Sequence, residues 1–170
     1  MQNHFEFYGL PVQLNLDLAN LKQKFFEISR TYHPDLFANS TPSEQEKALE
    51  ISTQNTIAYK TLLNDNSRLE HLLHLYHTDT NQTLPPTFLG QMMDLNEQID
   101  EVTPETRDGL VAEIRELQNQ FEVEMHSLFE AFDTAAEADK TSILLTLNQL
   151  HLKNKYLLRL NESLNTFAAE

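Results

Sequence analysis

The residues best placed to do chemistry are Tyr32-His33-Pro34-Asp35, at the end of a periodic segment that carries Lys22, Lys24 and Arg30. Proline has no amide hydrogen, and its ring drives the preceding residue out of the helical region. His33 is therefore expected in an extended conformation at the mouth of a loop, with Asp35 close behind it. An imidazole and a carboxylate on a stiffened, exposed turn suit recognition by a partner. A plain helix stop with polar residues after it, and a metal-dependent hydrolase using His33 and Asp35, are the other readings of the same residues. His71, His74 and His77 recur every third residue, but on a helix turning about 100° per residue the outer two diverge by about 120°. No acidic residue at helical spacing completes a ligand set, so no metal site is expected.

Other chemistries are excluded by composition. There is no cysteine, which removes thiolate nucleophiles, disulfides, zinc knuckles and cysteine-ligated clusters. The three glycines, Gly9, Gly90 and Gly109, are too far apart for a phosphate-cradling loop. Acidic clusters lie along solvated helical patterns without a glycine-lined pocket. The expectation is a protein with no catalytic residues and no cofactor, not an enzyme.

The elements that must position these residues read as helices throughout. Asp17 is a good N-cap, and Leu18, Leu21, Phe25, Ile28 and Tyr32 follow at helical spacing. Thr41-Pro42-Ser43-Glu44 is a capping box with proline at the first helical position. The next stripe, Ala48, Ile51, Asn55, Ala58 and Leu62, is rich in small residues, so another helix can approach it closely. Asn64-Asp65-Asn66-Ser67 is read as a break before Leu69, Leu72, Leu73 and Tyr76. A polar stretch without periodicity, residues 77–86, ends in Pro85-Pro86 and reads as a connection.

Three longer patterns follow. The first carries Phe88, Met92, Leu95, Ile99 and Val102. The second runs from Leu110 through Ile114, Leu117, Phe121, Met125 and Leu128 to Phe132. The third has Ile143, Leu147, Leu150, Leu157, Leu160, Leu164 and Phe167. Short turns between amphipathic helices predict an antiparallel bundle. The fold class is all-α, in two parts: residues 1–76, then 87–170.

The chain has 12 basic and 26 acidic residues, net −14, which disfavours a nucleic-acid backbone as partner. Residues 1–77 hold 6 basic and 9 acidic residues, whereas 78–170 hold 6 and 17. The excess therefore belongs to the second part and fits it for basic partners. No apolar run is long enough to span a membrane, and MQNHFEFYGLP has neither the basic flank nor the apolar stretch of a secretory signal. A soluble cytoplasmic protein is expected.

The first helix of the second part has more apolar residues than one face buries. Leu89 and Met93 lie off the core stripe, Glu97 and Glu101 continue their line, and Asp94 and Asp100 flank it. They are either the edge of a broad core or an apolar spot rimmed by carboxylates, suited to a partner bearing Lys or Arg.

A short apolar opening, a basic helix, His-Pro-Asp and an alanine-rich antiparallel helix resemble the J-domain of DnaJ-type co-chaperones. Phe5-Glu6-Phe7-Tyr8-Gly9-Leu10-Pro11, then Tyr32 through Ala38, then Ala58-Tyr59-Lys60-Thr61-Leu62 with Arg68 and Leu72-Leu73, resemble the HscB family over essentially the whole chain. Two places depart from the family pattern. An asparagine usual shortly before the Ala-Tyr pair falls on Thr56, and a proline near position 65 is Asp65.

The resemblance implies a J-domain, with an antiparallel helical hairpin and a His-Pro-Asp loop, followed by a three-helix bundle. It implies a co-chaperone of iron–sulfur cluster biogenesis that binds the scaffold IscU and delivers it to the DnaK-like chaperone HscA. His33, Pro34 and Asp35 would stimulate the chaperone's ATPase, aided by Lys22, Lys24 and Arg30. Leu89, Met93, Asp94, Glu97, Asp100 and Glu101, with Leu152 from the last helix, would bind the scaffold. A general J-domain protein with another client, or with an oligomerisation bundle, is the alternative.

Overall fold

The computed structural model describes residues 2–78 and 83–167, with side chains described as far as Leu164. The chain divides into two compact units, Met1–His77 and Thr78–Glu170. The described residues form seven α-helices and no strand. Of the connection expected at 77–86, residues 79–82 lie outside the described residues, as does the side chain of Phe167.

In the first unit, α1 (His4–Tyr8) is capped by Asn3, whose side chain accepts from the Phe5 and Glu6 amides. It stops at Gly9, whose φ of 58° is a left-handed conformation that side chains with a Cβ rarely adopt. α2 (Leu18–Thr31) starts as expected at Asp17, which accepts from the Ala19 and Asn20 amides. Its buried stripe begins one turn later than expected. Leu21 is buried and Phe25, Ile28 and Tyr32 are half-buried, but Leu18 is 42 % exposed because the first turn overhangs the core. Thr41 and Glu44 form the expected reciprocal capping box at the head of α3 (Pro42–Leu63). The Thr41 hydrogen bonds hold the Glu44 carboxyl below its usual range.

The break expected over 64–67 is a single residue. Asn64 accepts from the Asn66 and Ser67 amides as the N-cap of α4 (Asp65–Leu75), so the polar run is a cap and a first turn. Leu62, Leu69, Leu72 and Leu73 close the core beneath Phe5 and Leu21. Fully burying each such side chain stabilises by about 1.5–3 kcal/mol relative to leaving it exposed.

Three polar groups organise that core. Asn55 is 1 % exposed, and its amide nitrogen donates to the Phe25 carbonyl (3.0 Å) and to the Ser29 hydroxyl (2.9 Å). The Tyr8 hydroxyl stands 2.7 Å from the Asn55 side-chain oxygen and 2.8 Å from its backbone carbonyl. One amide thus ties α1 and α2 to α3. Arg68 is buried too. It donates to the Leu14 carbonyl (2.8 Å) and the Leu62 carbonyl and pairs with Asp65, pinning the α1–α2 connection to the α3–α4 corner. His71 accepts from the His4 amide (3.2 Å), and the two imidazoles stack at 4.3 Å. Burial, then the neighbouring His4 and His74, push the His71 pKa down to about 4, so it is neutral at pH 7 and able to accept.

The second unit is a three-helix bundle of α5 (Pro86–Asp100), α6 (Pro104–Thr134) and α7 (Glu137–Phe167). Phe88, Met92, Leu95 and Ile99 pack with Leu110 and Ile114 of α6 and with Leu157, Leu160 and Leu164 of α7, as the periodicity predicts. Phe129 and Leu144 are also buried, and α7 buries the polar Asn148, His151 and Asn154, which an apolar stripe could not announce. With 15 residues against 31, α5 spans about half the length of its partners.

Removing the Asn55 side chain leaves buried donors and acceptors without partners, so Asn55→Ala should cost about 2–4 kcal/mol in urea unfolding of the full chain, and Tyr8→Phe only about 1 kcal/mol. A loss below about 1 kcal/mol for Asn55→Ala would show the amide to be dispensable. The His71 pKa is lower in the folded than in the unfolded chain, so the unfolded chain takes up the proton first. Stability is therefore lost as pH falls from about 6.5 to about 4, with no further change through this group below that. Unfolding free energies of the parent and His71→Gln should move apart with pH inside that window. A difference independent of pH would refute the assignment.

Candidate functional site

The His33-Pro34-Asp35 turn closes the α2–α3 hairpin. α2 ends at Tyr32, whose amide still reaches the Ile28 carbonyl (2.9 Å). His33 then takes φ −63° and ψ 126°, the extended conformation that Pro34 requires. The following residues are not an open loop. Pro34–Phe37 forms a 3-10 turn in which the Leu36 amide donates to the His33 carbonyl (2.9 Å). The Asp35 amide lies 3.4 Å from His33 Nδ1, and its carboxylate 3.5 Å from the same nitrogen. Nδ1 is engaged inside the tripeptide, which leaves Nε2 for a partner. The His33 and Asp35 side chains are 57 % and 88 % exposed, so their mutual contact adds little stability. The Tyr32 and Phe37 rings lie parallel on either side of the tripeptide (6.4 Å between centroids), and Gln45 donates to the Ala38 and Ser40 carbonyls behind it. The turn is a braced, outward-facing display.

Lys22 and Arg30 are exposed on α2 and lie on one row at four-residue steps, with Leu18 and Phe26 completing it. Lys24 does not join them. It sits on the far side of the helix at 100° per residue and is half-buried. Phe26, missed in the sequence, is 45 % exposed between the two cations. Its ring stands edge-on to Phe25 (5.4 Å), which stacks on Tyr59 (4.3 Å), so the exposed ring is held in place. The signal was there: two consecutive phenylalanines on a helix cannot share one face.

On α5 the core stripe does not take in Leu89 and Met93, which are 40 % and 63 % exposed. Asp94, Glu97, Asp100 and Glu101 are exposed alongside and, with Gln98, line a shallow acidic depression. Leu89 also meets half-buried Leu152 of α7 in a second groove, with Leu84, Lys155, Tyr156 and Arg159. The structure thus brings Leu152 beside Leu89 and groups Asp94, Glu97, Asp100 and Glu101 in a separate depression. Sequence periodicity did not reveal the last four groove residues, because their meeting depends on the α5–α7 register.

The two family departures have local explanations. Thr56 is exposed and bonds the Ser52 carbonyl, while its neighbour Asn55 is the buried amide of the core. Asp65 occupies the first position of α4, where proline is also favoured, and there it pairs with Arg68. Among the described residues no group of three His, Asp or Glu side chains could hold a metal. Of the three spaced histidines, His71 is buried against His4, His74 is exposed, and His77 has left the helix with φ 50°. No helix among the described residues is long and apolar enough to cross a membrane.

An N-terminal helical hairpin closed by a His-Pro-Asp turn, as in a J-domain, followed by a C-terminal three-helix bundle, is the architecture that the sequence predicts. A family model described as the HSCB C-terminal oligomerisation domain matches residues 84–165. The fold is similar to that of chaperone HscB from Vibrio cholerae, at 24% identity and a TM-score of 0.72 over 99% of this chain and 98% of that one. It is also similar to the human co-chaperone protein HscB, at 22% identity and a TM-score of 0.75 over 99% of this chain and 83% of that one. The family match thus lies within the second unit, and over the whole chain the likeness to the HscB structures is one of fold.

Proposed function

We propose that this protein is a co-chaperone adaptor that binds an IscU-type iron–sulfur scaffold and delivers it to a DnaK-like chaperone of the HscA type, whose ATPase it stimulates. The observation that carries the reading is the pairing of two different exposed faces on two units. One is a braced His-Pro-Asp turn continuing a row of cations and an aromatic; the other is an apolar spot rimmed by carboxylates.

On this reading the first unit engages the chaperone in its ATP state through His33, Pro34 and Asp35, with Lys22, Arg30 and Phe26 along α2 and Lys24 at most at the periphery. The chain supplies no catalytic group and needs no cofactor. It shifts the chaperone's conformational equilibrium by binding one state better than the other. The second unit holds the scaffold through Leu89, Met93 and Leu152, with Asp94, Glu97, Asp100 and Glu101 meeting cations on the scaffold. Without cysteine the chain has no thiolate to offer a cluster, so it handles the scaffold and leaves the cluster there. The site of action is the cytoplasm.

A second reading is favoured by the description of the matched domain as an oligomerisation domain. Copies of the chain would then associate through the second unit. Sedimentation of the parent and of Leu89→Ala/Met93→Ala separates the two, since self-association through this face would be lost in the variant.

His33→Gln should keep its helical circular dichroism and lose at least about tenfold in stimulation of chaperone ATP hydrolysis, equivalent to about 1.4 kcal/mol of coupling. Full stimulation by the folded variant would sink the proposed role of the turn. Leu89→Ala/Met93→Ala should weaken scaffold binding by about tenfold or more in calorimetry and spare stimulation measured without scaffold. Unchanged scaffold affinity in the folded double variant would count against this face.

A further inference from the structure

The positive charge of the second unit is not scattered. Residues 78–170 hold six cations, and three of them, Lys153, Lys155 and Arg159, fall within two turns of α7. Lys140 pairs with Glu137 at 3.1 Å, and Arg107 and Arg115 stand on the acid-rich α6. The Lys153 ammonium lies 5.7 Å above the rings of both Phe88 and Phe121, at the edge of the core. Lys155 and Arg159, one turn apart and exposed, instead line the groove of about 380 Å³ that has Leu84, Leu89, Leu152 and Tyr156 as its apolar lining. Arg159 makes no ion pair among the described residues.

This groove shares Leu89 with the acid-rimmed face of α5, so the two are continuous. From Leu89 to Asp100 the helix advances about 16 Å. Lys155 and Arg159 border Leu89 on the α7 side, and along that length the α5 surface passes from apolar at Leu89 and Met93 to anionic at Asp94, Glu97, Asp100 and Glu101. Such a surface has a direction. A partner with apolar residues alone would fit it either way round, whereas one with opposite charges at its two ends fits in one orientation and meets like charges in the other.

We infer that the second unit binds its scaffold in a single orientation, with an acidic side chain of the scaffold seated against Lys155 and Arg159 in the α5–α7 groove and its basic residues at the Asp94–Glu101 end. The inference rests on the proposed scaffold binding and adds to it the chemistry of the scaffold's other edge: an apolar contact bounded by Asp or Glu on the side away from its Lys or Arg.

The test uses the full chain and the purified scaffold. Arg159→Glu should weaken scaffold binding at least tenfold in calorimetry, and Arg159→Gln should do so by less. Arg115→Glu, the same change of net charge on α6, should have little effect. Zero-length carbodiimide coupling, which condenses a lysine amine with a carboxylate and releases water overall, should join Lys155, or the new amine in Arg159→Lys, to an Asp or Glu of the scaffold in peptide maps. Parent-like affinity of folded Arg159→Glu, or an equal loss from Arg115→Glu, overturns the orientation and leaves scaffold binding standing. Couplings confined to scaffold lysines joined to Asp94–Glu101 would also overturn it. Failure of the parent chain to bind scaffold overturns both readings.

Discussion

The first unit is organised around the buried amide of Asn55. A helical hairpin holding small residues such as Ala48 and Ala58 at its contact can slide or rotate, because dispersion between small groups has little directional preference. Hydrogen bonds do have direction. By bonding the Phe25 carbonyl and the Ser29 hydroxyl on α2 while meeting the Tyr8 hydroxyl from α1, Asn55 sets the register of three helices at once. An amide so enclosed is costly unless fully satisfied, which makes alternative registers unfavourable as well as the native one favourable. Burial, with the neighbouring Tyr59, pushes the Tyr8 phenol far above its ordinary range, so it remains a hydroxyl donor at neutral pH. Because α2 and α3 are in fixed register, the turn joining them has a fixed start and end. Pro34, the 3-10 turn and the Tyr32–Phe37 pair then determine where His33 and Asp35 stand.

Both candidate faces use the residues a helix has left over after its core stripe is filled. α2 buries Leu21 and half-buries Phe25 and Ile28, which leaves Phe26 on the outside between Lys22 and Arg30. α5 buries Phe88, Met92, Leu95 and Ile99, which leaves Leu89 and Met93. Scattered exposed apolar residues carry no message in themselves. Here each sits within a row of like-charged residues, of opposite sign on the two units, and that combination is what gives a surface a preferred partner. The net charge of −14 is thus the sum of a nearly balanced unit and a strongly acidic one.

Much of this could be read from sequence where the cause is local. Pro34 acts on its immediate neighbour, so the extended backbone of His33 was predictable, and Asp17, Thr41 and Glu44 cap their own helices. Leu18 was misplaced because periodicity gives the phase of a stripe but not where the neighbouring helix begins to cover it. The polar run from Asn64 hid a helix start, since caps and breaks use the same residues. Asn55 stood visibly within an apolar stripe, yet its partners are 26 to 47 residues away, and nothing local names them. Lys24 was grouped with Lys22 and Arg30 by charge alone; the helical angle, available from sequence, separates it. Lys155, Tyr156 and Arg159 were out of reach, because only the packing of α7 on α5 sets them beside Leu89.

The small size of both faces bears on how the proposed adaptor role would work. Leu89, Met93 and a shallow groove form a patch on one short helix and its neighbour, far from the surface that permanent complexes bury. Charge pairs that the exposed Lys22 and Arg30 of α2 would make with a partner contribute modestly and are screened by salt. Each contact alone is therefore suited to rapid exchange, which the proposed delivery would require: a scaffold held too tightly could not be handed on. The specificity lost to weak binding returns through covalent linkage. With both units on one chain, a scaffold bound to the second, as proposed, would raise its own effective concentration at a chaperone held by the first, without any new contact. On that proposal the braced turn and the charged apolar rows need only select the right partners, and covalent linkage of the two units would supply the rest of the coupling.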